Sequence, residues 1–305
     1  MEFMWKEGIK FIVWLQSSES PLVDYVARFF TTIGTEEFYL LLTSGVYWCG
    51  SGRDSLAARL TYRWLISGLV NADLKDLLDQ PRPFEIDPGL QLIFTRGRGM
   101  PSGHAQSAVV VWGTLAAASG RRSFWAWSAV LVLLISLSRV YLGVHFPTDI
   151  LGGWAVGIVL LIAFKRIEPK VRCWLHKISF GRLASIALTA PLLLALVFWG
   201  EDAFRLASVL SGFGFGLILA RGYRWPLRSR VLRLIVGGLP LIAVYSLLKW
   251  RLLPLLSGSK GLFSSVAFVG FWLTGFWITL GTPWFLKRLT RSHRVNGDAC
   301  GPAQR

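Results

Sequence analysis

Charge is scarce in this chain, and acidic charge is scarcest. Asp and Glu number 17 against 33 Lys and Arg, and charged residues make up 16% of the 305, where soluble domains carry about a quarter. Hydrophobic residues make up 53% and the mean hydropathy is +0.49. Several apolar runs reach the ~20 residues that a helix needs to cross a bilayer. A soluble domain of this length could not cover them all, so the expected fold is all-α: a polytopic membrane helical bundle.

Cysteine is nearly absent as well. Cys49, Cys173 and Cys300 are odd in number and far apart, which excludes a disulfide framework and a zinc site. Carboxylates cluster nowhere as a magnesium site requires, and no metal or cofactor is expected. A basic leader is missing too, because Glu2 and Glu7 sit where its cations should be and no small-residue cleavage site follows.

The net charge of +16 would suit a nucleic-acid partner if the cations formed one surface. Instead they fall in short clusters between hydrophobic runs, as loops on the positive side of a membrane do. Anionic lipid headgroups are therefore the expected partner, and nucleic acid is not.

Along the chain, Leu22, Val26, Phe29, Phe30 and Ile33 recur at helical spacing, with Asp24 and Arg28 four apart on another face. This predicts an amphipathic helix lying at the membrane interface. Spanning helices are expected near residues 38–49, 60–78, 104–119, 124–142, 150–164, 183–199, 206–220, 231–248 and 262–286, about nine in all, the first being the shortest. The last dozen residues read as unstructured. Alternate threading, with the Arg121-Arg122 loop cytoplasmic, gathers 21 of the 33 cations on that side. The other face keeps Lys75, Arg82 and Arg139, so the positive-inside rule sets them facing outward.

Those three cations belong to motifs. Lys75 is followed by Arg82-Pro83, then by Pro101-Ser102-Gly103-His104, then by Ser138-Arg139, His145 and Asp149. Pro101-Ser102-Gly103-His104 reads as a helix start. There Ser102 can cap, Gly103 lets backbone approach a ligand, and the positive helix end favours an anion. Alone it would be an ordinary Pro-Ser cap. Lys75 could simply reach to the interface from a helix end, whereas Arg139 interrupts an aliphatic segment that otherwise avoids charge. Four residues separate His145 from Asp149, so the carboxylate can hold one ring nitrogen and leave the other facing outward as a nucleophile. Arg96 and Arg98 could greet an anion or stand as loop charges. His176 and His293 lie among solvated cations and take no role.

These motifs resemble the type 2 phosphatidic acid phosphatase family, which also includes glucose-6-phosphatases, sphingosine-phosphate phosphatases and vanadium haloperoxidases. The resemblance covers roughly residues 60–165 and is complete at every signature position. It implies a helical catalytic bundle that hydrolyses phosphate esters without metal. His145 would attack phosphorus to give a phosphohistidine, Asp149 would hold its ring, and His104 would protonate the departing oxygen. Lys75, Arg82, Ser102, Gly103 and Arg139 would bind the phosphoryl oxygens. The domains then expected are an interfacial segment over 1–37, a catalytic core over 38–166, and further helices with a basic tail over 167–305. The family's bacterial lipid phosphatases are commonly built on six helices. Here the first is replaced or weakened, and some four more follow residue 182. A lipid phosphate or pyrophosphate at the outer leaflet, periplasmic in a bacterium, is the expected substrate. A soluble sugar phosphate is the alternative, because the layout is similar to that of glucose-6-phosphatase; a lipid carrier or flippase is the other.

Overall fold

A computed structural model describes residues 2–18, 20–50, 56–197, 200–220, 229–256 and 260–297, and among them every regular element is helical. Arg53, most of the Arg221 cluster, Cys300, the final residues and the His293 side chain, all assigned from sequence, lie outside what is described. The helices are α1 (Glu2–Gln16), α2 (Pro21–Ile33), α3 (Glu36–Cys49), α4 (Leu56–Leu78) and the short α5 (Pro83–Ile86). Then come α6 (Gly103–Ser119), α7 (Arg122–Tyr141), α8 (Pro147–His176), α9 (Phe180–Val197) and α10 (Glu201–Leu219). The chain continues as α11 (Arg230–Leu247), α12 (Leu253–Leu256), α13 (Lys260–Phe276) and α14 (Thr282–Gly297), with π-helical turns at Leu248–Leu252 and Trp277–Gly281.

The described part of each stretch expected to span is helical to within a residue, although that over 262–286 is shared between α13, the turn Trp277–Gly281 and α14. Among the described residues, five helical stretches are long and apolar enough to cross a membrane: Arg122–Tyr141, Pro147–His176, Glu201–Leu219, Arg230–Leu255 and Ser265–Leu289. α6 has only 17 residues, and α4 carries Arg59, Arg63, Asp73, Lys75 and Asp76 along its length. The largest departure from expectation is α8. It runs on as helix through the basic stretch read as a loop and through Pro169 to His176, since Lys and Arg are good helix formers. Cys173 accordingly lies on a helix and is exposed. α14 likewise carries helix to Gly297, into the tail expected to be unstructured.

The chain divides into two compact units. The first comprises Met1–Leu40, Leu60–Lys177 and Val197–Leu206, and the second Leu41–Arg59, Ile178–Leu196 and Ala207–Arg305. In the first, α6 packs against both α7 and α8. Gly153 and Gly157, one turn apart on α8, make the α6 contact close. A Cβ at Gly153 would stand 2.6 Å from the Ser102 carbonyl oxygen, and one at Gly157 2.9 Å from Val109 Cβ. Small residues at such spacing let helix backbones approach where no water drives them together. Gly143 turns the chain after α7 with φ +70°, and a Cβ there would overlap the Leu90 carbonyl. Gln16 from α1 donates to the carbonyls of Leu90 (3.0 Å) and Tyr141 (2.8 Å), tying both sides of that turn.

α2 is amphipathic as expected, but its polar face is the one turned inward. Ala27 and Thr31 are buried, whereas Leu22, Tyr25, Val26 and Phe29 are exposed, as a lipid-facing stripe would be. Asp24 and Arg28 do not pair with each other. Asp24 accepts from the Tyr141 hydroxyl and Arg28 donates to the Leu92 carbonyl, because partners across the helix interface satisfy them better than a solvated intrahelical pair.

In the second unit the Trp48 indole donates to the Ile278 carbonyl at 2.9 Å, and Gly237 packs on its ring. Gly212 and Gly275 let α10 and α13 cross at backbone distance.

Candidate active site

Asp149 is the third residue of α8, and its carboxylate turns back over the helix start. Oδ2 accepts from the Phe146 backbone N–H at 2.9 Å and from His145 Nδ1 at 3.2 Å. Pro147 fits the first turn because its missing N–H would have no partner there. The other ring nitrogen, His145 Nε2, lies 3.3 Å from Nη1 of Arg82. A guanidinium has only donors, so Nε2 is the accepting nitrogen and Nδ1 carries the hydrogen that Asp149 holds. The ring is thus neutral, with its lone pair directed at the cation.

Arg82 reaches His145 from the loop after α4. The Glu85 carboxylate accepts from the Arg82 backbone N–H at 3.1 Å, which fixes that turn. Its guanidinium donates to the carbonyls of Gly97 (2.6 Å), Arg96 (3.0 Å) and Val144 (2.8 Å). Lys75 donates to the Arg98 carbonyl at 2.9 Å. Arg96 and Arg98 therefore touch the site through backbone rather than charge. The Arg98 side chain pairs with Asp79, and the Arg96 guanidinium lies over Phe94, 5.3 Å from the ring centre.

Ser102 occupies the cap position of α6, but its side chain makes no capping hydrogen bond, which corrects the expected role. Its Oγ is fully buried and has no hydrogen-bond partner among the described residues, and the same holds for Nε of Arg139. The helix ladder of α6 begins at Gln106 N–H to Ser102 O, 3.0 Å, so the Gly103 amide precedes it. Arg139 donates through Nη1 to the Thr31 hydroxyl of α2. Gly34, at the end of α2, brings backbone against His104: a Cβ there would stand 2.7 Å from the ring. α2 thereby touches two motif residues.

The electrostatics are one-sided. Burial, and then the charges of Arg82, Arg139, Lys75 and His104, hold the His145 imidazole well below its ordinary value. Burial lowers Arg82 to about 10, opposed by Asp149 and Glu85, so it stays charged at neutral pH. A dianionic phosphate is what such a cluster of cations and orphaned donors accommodates.

The structure thus brings His104, His145, Asp149, Arg82, Arg139 and Lys75 into one electrostatic cluster and places Ser102 and Gly103 on the loop beside Asp149, whose carbonyl accepts from Ser102 N–H at 3.0 Å. No group of His, Cys, Asp or Glu that could hold a metal ion occurs among the described residues. Three residues at the cluster escaped sequence reading: Thr31, Asn71 and Gln106. Asn71 and Gln106 are buried amides within stretches expected to span a membrane, and that oddity was the signal available for finding them.

Comparison with known proteins finds relatives of one family. The family described as "PAP2 superfamily" matches residues 56–173, and "PAP2 superfamily phosphatase, transmembrane extension" matches residues 204–294. The chain is 27% identical over 170 residues to phosphatidylglycerophosphatase B of Bacillus subtilis, covering 52% of this chain and 81% of that protein. It is 31% identical over 144 residues to mouse sphingosine-1-phosphate phosphatase 2, covering 45% of this chain and 40% of the relative. Against undecaprenyl-diphosphatase of Sulfolobus acidocaldarius it is 31% identical over 113 residues, covering 36% and 53%. The chain spans less than two thirds of the length of the latter two relatives.

Proposed function

For a chain that carries a PAP2 superfamily domain and that superfamily's transmembrane extension, we propose a multi-pass membrane phosphatase that hydrolyses a lipid phosphate monoester or pyrophosphate. One observation carries the reading. His145 offers Nε2 while Asp149 holds Nδ1, and the buried Ser102 Oγ and Arg139 Nε stand without partners among the described residues.

In the reaction, Nε2 attacks phosphorus and the bond to the leaving oxygen breaks as the new P–N bond forms. His104 gives that oxygen its proton, so a neutral alcohol, or the shortened phosphate of a pyrophosphate, departs. Asp149 stabilises the charge that the imidazole gains. Arg82, Arg139, Lys75, Ser102 and the Gly103 amide surround the equatorial oxygens, where charge is spread in the transition state. Water then attacks the phosphohistidine, its proton passes to His104, and the P–N bond breaks to release phosphate and restore neutral His145.

The lipid assignment is supported by the site's place at the ends of α7 and α8, both long and apolar enough to cross a membrane, and by relatives whose names specify lipid phosphates. The distribution of cations supports an outward-facing site, periplasmic in a bacterium. A phosphate-release screen of the whole protein in detergent tests the reading. Phosphatidylglycerophosphate, phosphatidate, sphingosine 1-phosphate and undecaprenyl diphosphate should release phosphate, at least one of them far faster than glucose 6-phosphate. Preference for the soluble sugar ester, or no release from any of them, would overturn it.

A further inference from the structure

Beneath the Pro101-Ser102-Gly103 loop runs a buried chain of amides that belongs to none of the motifs. Asn71 lies one helical turn before Lys75 on α4. Its Nδ2 donates to the Pro101 carbonyl at 3.2 Å and to Gln106 Oε1 at 2.8 Å. Gln106, on the first turn of α6, passes the chain back to α4 through Nε2, which donates to the Ser67 carbonyl at 2.8 Å and the Ser67 hydroxyl at 3.0 Å. Gln106 and Ser67 are fully buried and Asn71 nearly so.

Such a chain is a poor device for simple cohesion. Apolar side chains at both amide positions together would bury more apolar surface with no side-chain amide to desolvate, whereas a change at one alone strands the other's buried partners. Its distinguishing property is directional. It joins the helix that presents Lys75 to the one carbonyl that orients the loop bearing Ser102 and Gly103. The other side of that loop is held by Asp149 O, which accepts from Ser102 N–H at 3.0 Å, and by Gly153, which leaves no room for a side chain against Ser102 O. The α4 side has the same tightness, since a Cβ on Gly103 would stand 2.9 Å from Asn71 Oδ1. The loop is gripped from both helices.

We propose that Asn71 and Gln106 are positioning residues for the phosphoryl site: together they lock the Pro101–Gly103 backbone to α4, so that Ser102 Oγ, the Gly103 amide and Lys75 converge on the same phosphoryl oxygens. This rests on the phosphatase reading above. A donor displaced by about 1 Å can cost on the order of a hundredfold in rate. The effect should fall on the chemical step, because the network is buried and reaches the site only through the Pro101–Gly103 loop.

The test uses full-length protein in detergent, the best lipid substrate from the screen, and vanadate as a phosphoryl mimic. Asn71→Leu and Gln106→Met should each lower kcat by about 10- to 100-fold with KM changed less than about threefold, and should weaken vanadate inhibition in parallel. The double variant should lose little more than either single, as expected for one shared interaction. Asn71→Asp keeps volume and one oxygen but loses the donor, so it should resemble Asn71→Leu even if the leucine variant folds poorly. Ser67→Ala removes one of two acceptors for Gln106 and should change kcat less than about threefold. Single variants with normal kcat and vanadate sensitivity would overturn the proposal. So would losses that multiply in the double variant and follow a fall in thermal midpoint. Wild-type protein that hydrolyses no ester would instead remove the phosphatase reading, and this inference with it; active wild type beside an unaffected Asn71→Asp removes the inference alone.

Discussion

Nη1 of Arg82 stands 3.3 Å from Nε2 of His145, at about the separation a reacting phosphorus would occupy in a near-attack geometry. The cation therefore covers the lone pair that the proposed reaction needs. In that proposal Arg82 exchanges the contact for a phosphoryl oxygen when substrate arrives, while its Nε and Nη2 remain on the carbonyls of Gly97 and Arg96. The arrangement would keep the proposed nucleophile neutral until an anion displaces its neighbour.

His145→Ala removes the attacking atom and should reduce turnover by about a thousandfold or more while the protein stays folded. Asp149→Asn should cost less, roughly tenfold to a thousandfold, because an amide can still accept from Phe146 N–H without stabilising imidazolium charge. Single-turnover assays with acid-quench capture of labelled protein separate the two. Labelled phosphate should be trapped on the wild type and absent from His145→Ala. Turnover of His145→Ala at the wild-type rate would end the covalent mechanism.

A reaction that needs no metal is expected from how the site's carboxylate is committed. Asp149 already accepts from Phe146 N–H and His145, and the groups offered to phosphate are cations, a hydroxyl and backbone amide. Activity should persist in excess chelator, and vanadate should inhibit. Abolition by chelator with restoration by magnesium would refute the assignment.

The pH profile follows from His145. Burial and the surrounding cations lower its pKa, so the neutral, attacking form persists below the ordinary histidine range, and the acid limb of kcat/KM should lie below about pH 6.5. Arg82→Gln removes the largest of those charges, so that limb should move upward; an unmoved limb contradicts the electrostatic account. The linkage sign is fixed as well. The unfolded state binds the proton first, so this group's contribution to stability is full above the unfolded value and declines as pH falls from there toward the folded value. The proposed mechanism takes the leaving-group proton from His104, so the basic limb is expected to depend on that residue. His104→Ala should flatten it and should spare p-nitrophenyl phosphate more than an alkyl phosphate.

Thr31 links α2 to the proposed site, since its hydroxyl receives Arg139 Nη1. Thr31→Val keeps the shape but withdraws the acceptor. It should weaken vanadate inhibition and lower kcat by roughly three- to tenfold, with less effect on thermal stability than Ala27→Leu, which overfills a buried position. Equal kcat in wild type and Thr31→Val would show that α2 only covers the site.

How far the sequence reveals this molecule depends on the range of each signal. Lys75, Arg82, Ser102-Gly103-His104, Arg139, His145 and Asp149 were legible because each sits at a helix end, where turn residues and charge mark it within a few positions. The helices were legible from apolar runs, with errors where charged residues continue a helix, as over 165–176 in α8. Ser102 was misread as a cap because position at a helix start does not say where a hydroxyl points. Thr31, Asn71 and Gln106 were passed over because their partners are 108, 30 and 39 residues away, and although an amide in a spanning stretch is a flag, only the packed fold gives it a role. The inward polar face of α2 belongs to the same class: periodicity finds the stripe, but the solvent on its far side decides which face turns in.

The orientation of the whole protein can be tested through two positions. The turn Pro88–Leu90 lies on the motif side of the first unit, its Leu90 carbonyl held by Gln16, and α14 ends at Gly297. With 21 of the 33 cations on the side of the Arg121-Arg122 loop, the opposite threading would place most cations on the translocated face, which the positive-inside rule disfavours. Should the N-terminal helices cross the bilayer instead of lying on it, the N-terminus would change sides, yet the motifs would not, because their placement follows from the loops beyond Arg121. Single cysteines at Gly89 and Gly297, in a background lacking Cys49, Cys173 and Cys300, read this out. A membrane-impermeant thiol reagent on intact cells should label the first and spare the second. Labelling in the reverse order would turn the site toward the cytoplasm, and with it the pool of lipid phosphate from which the enzyme draws.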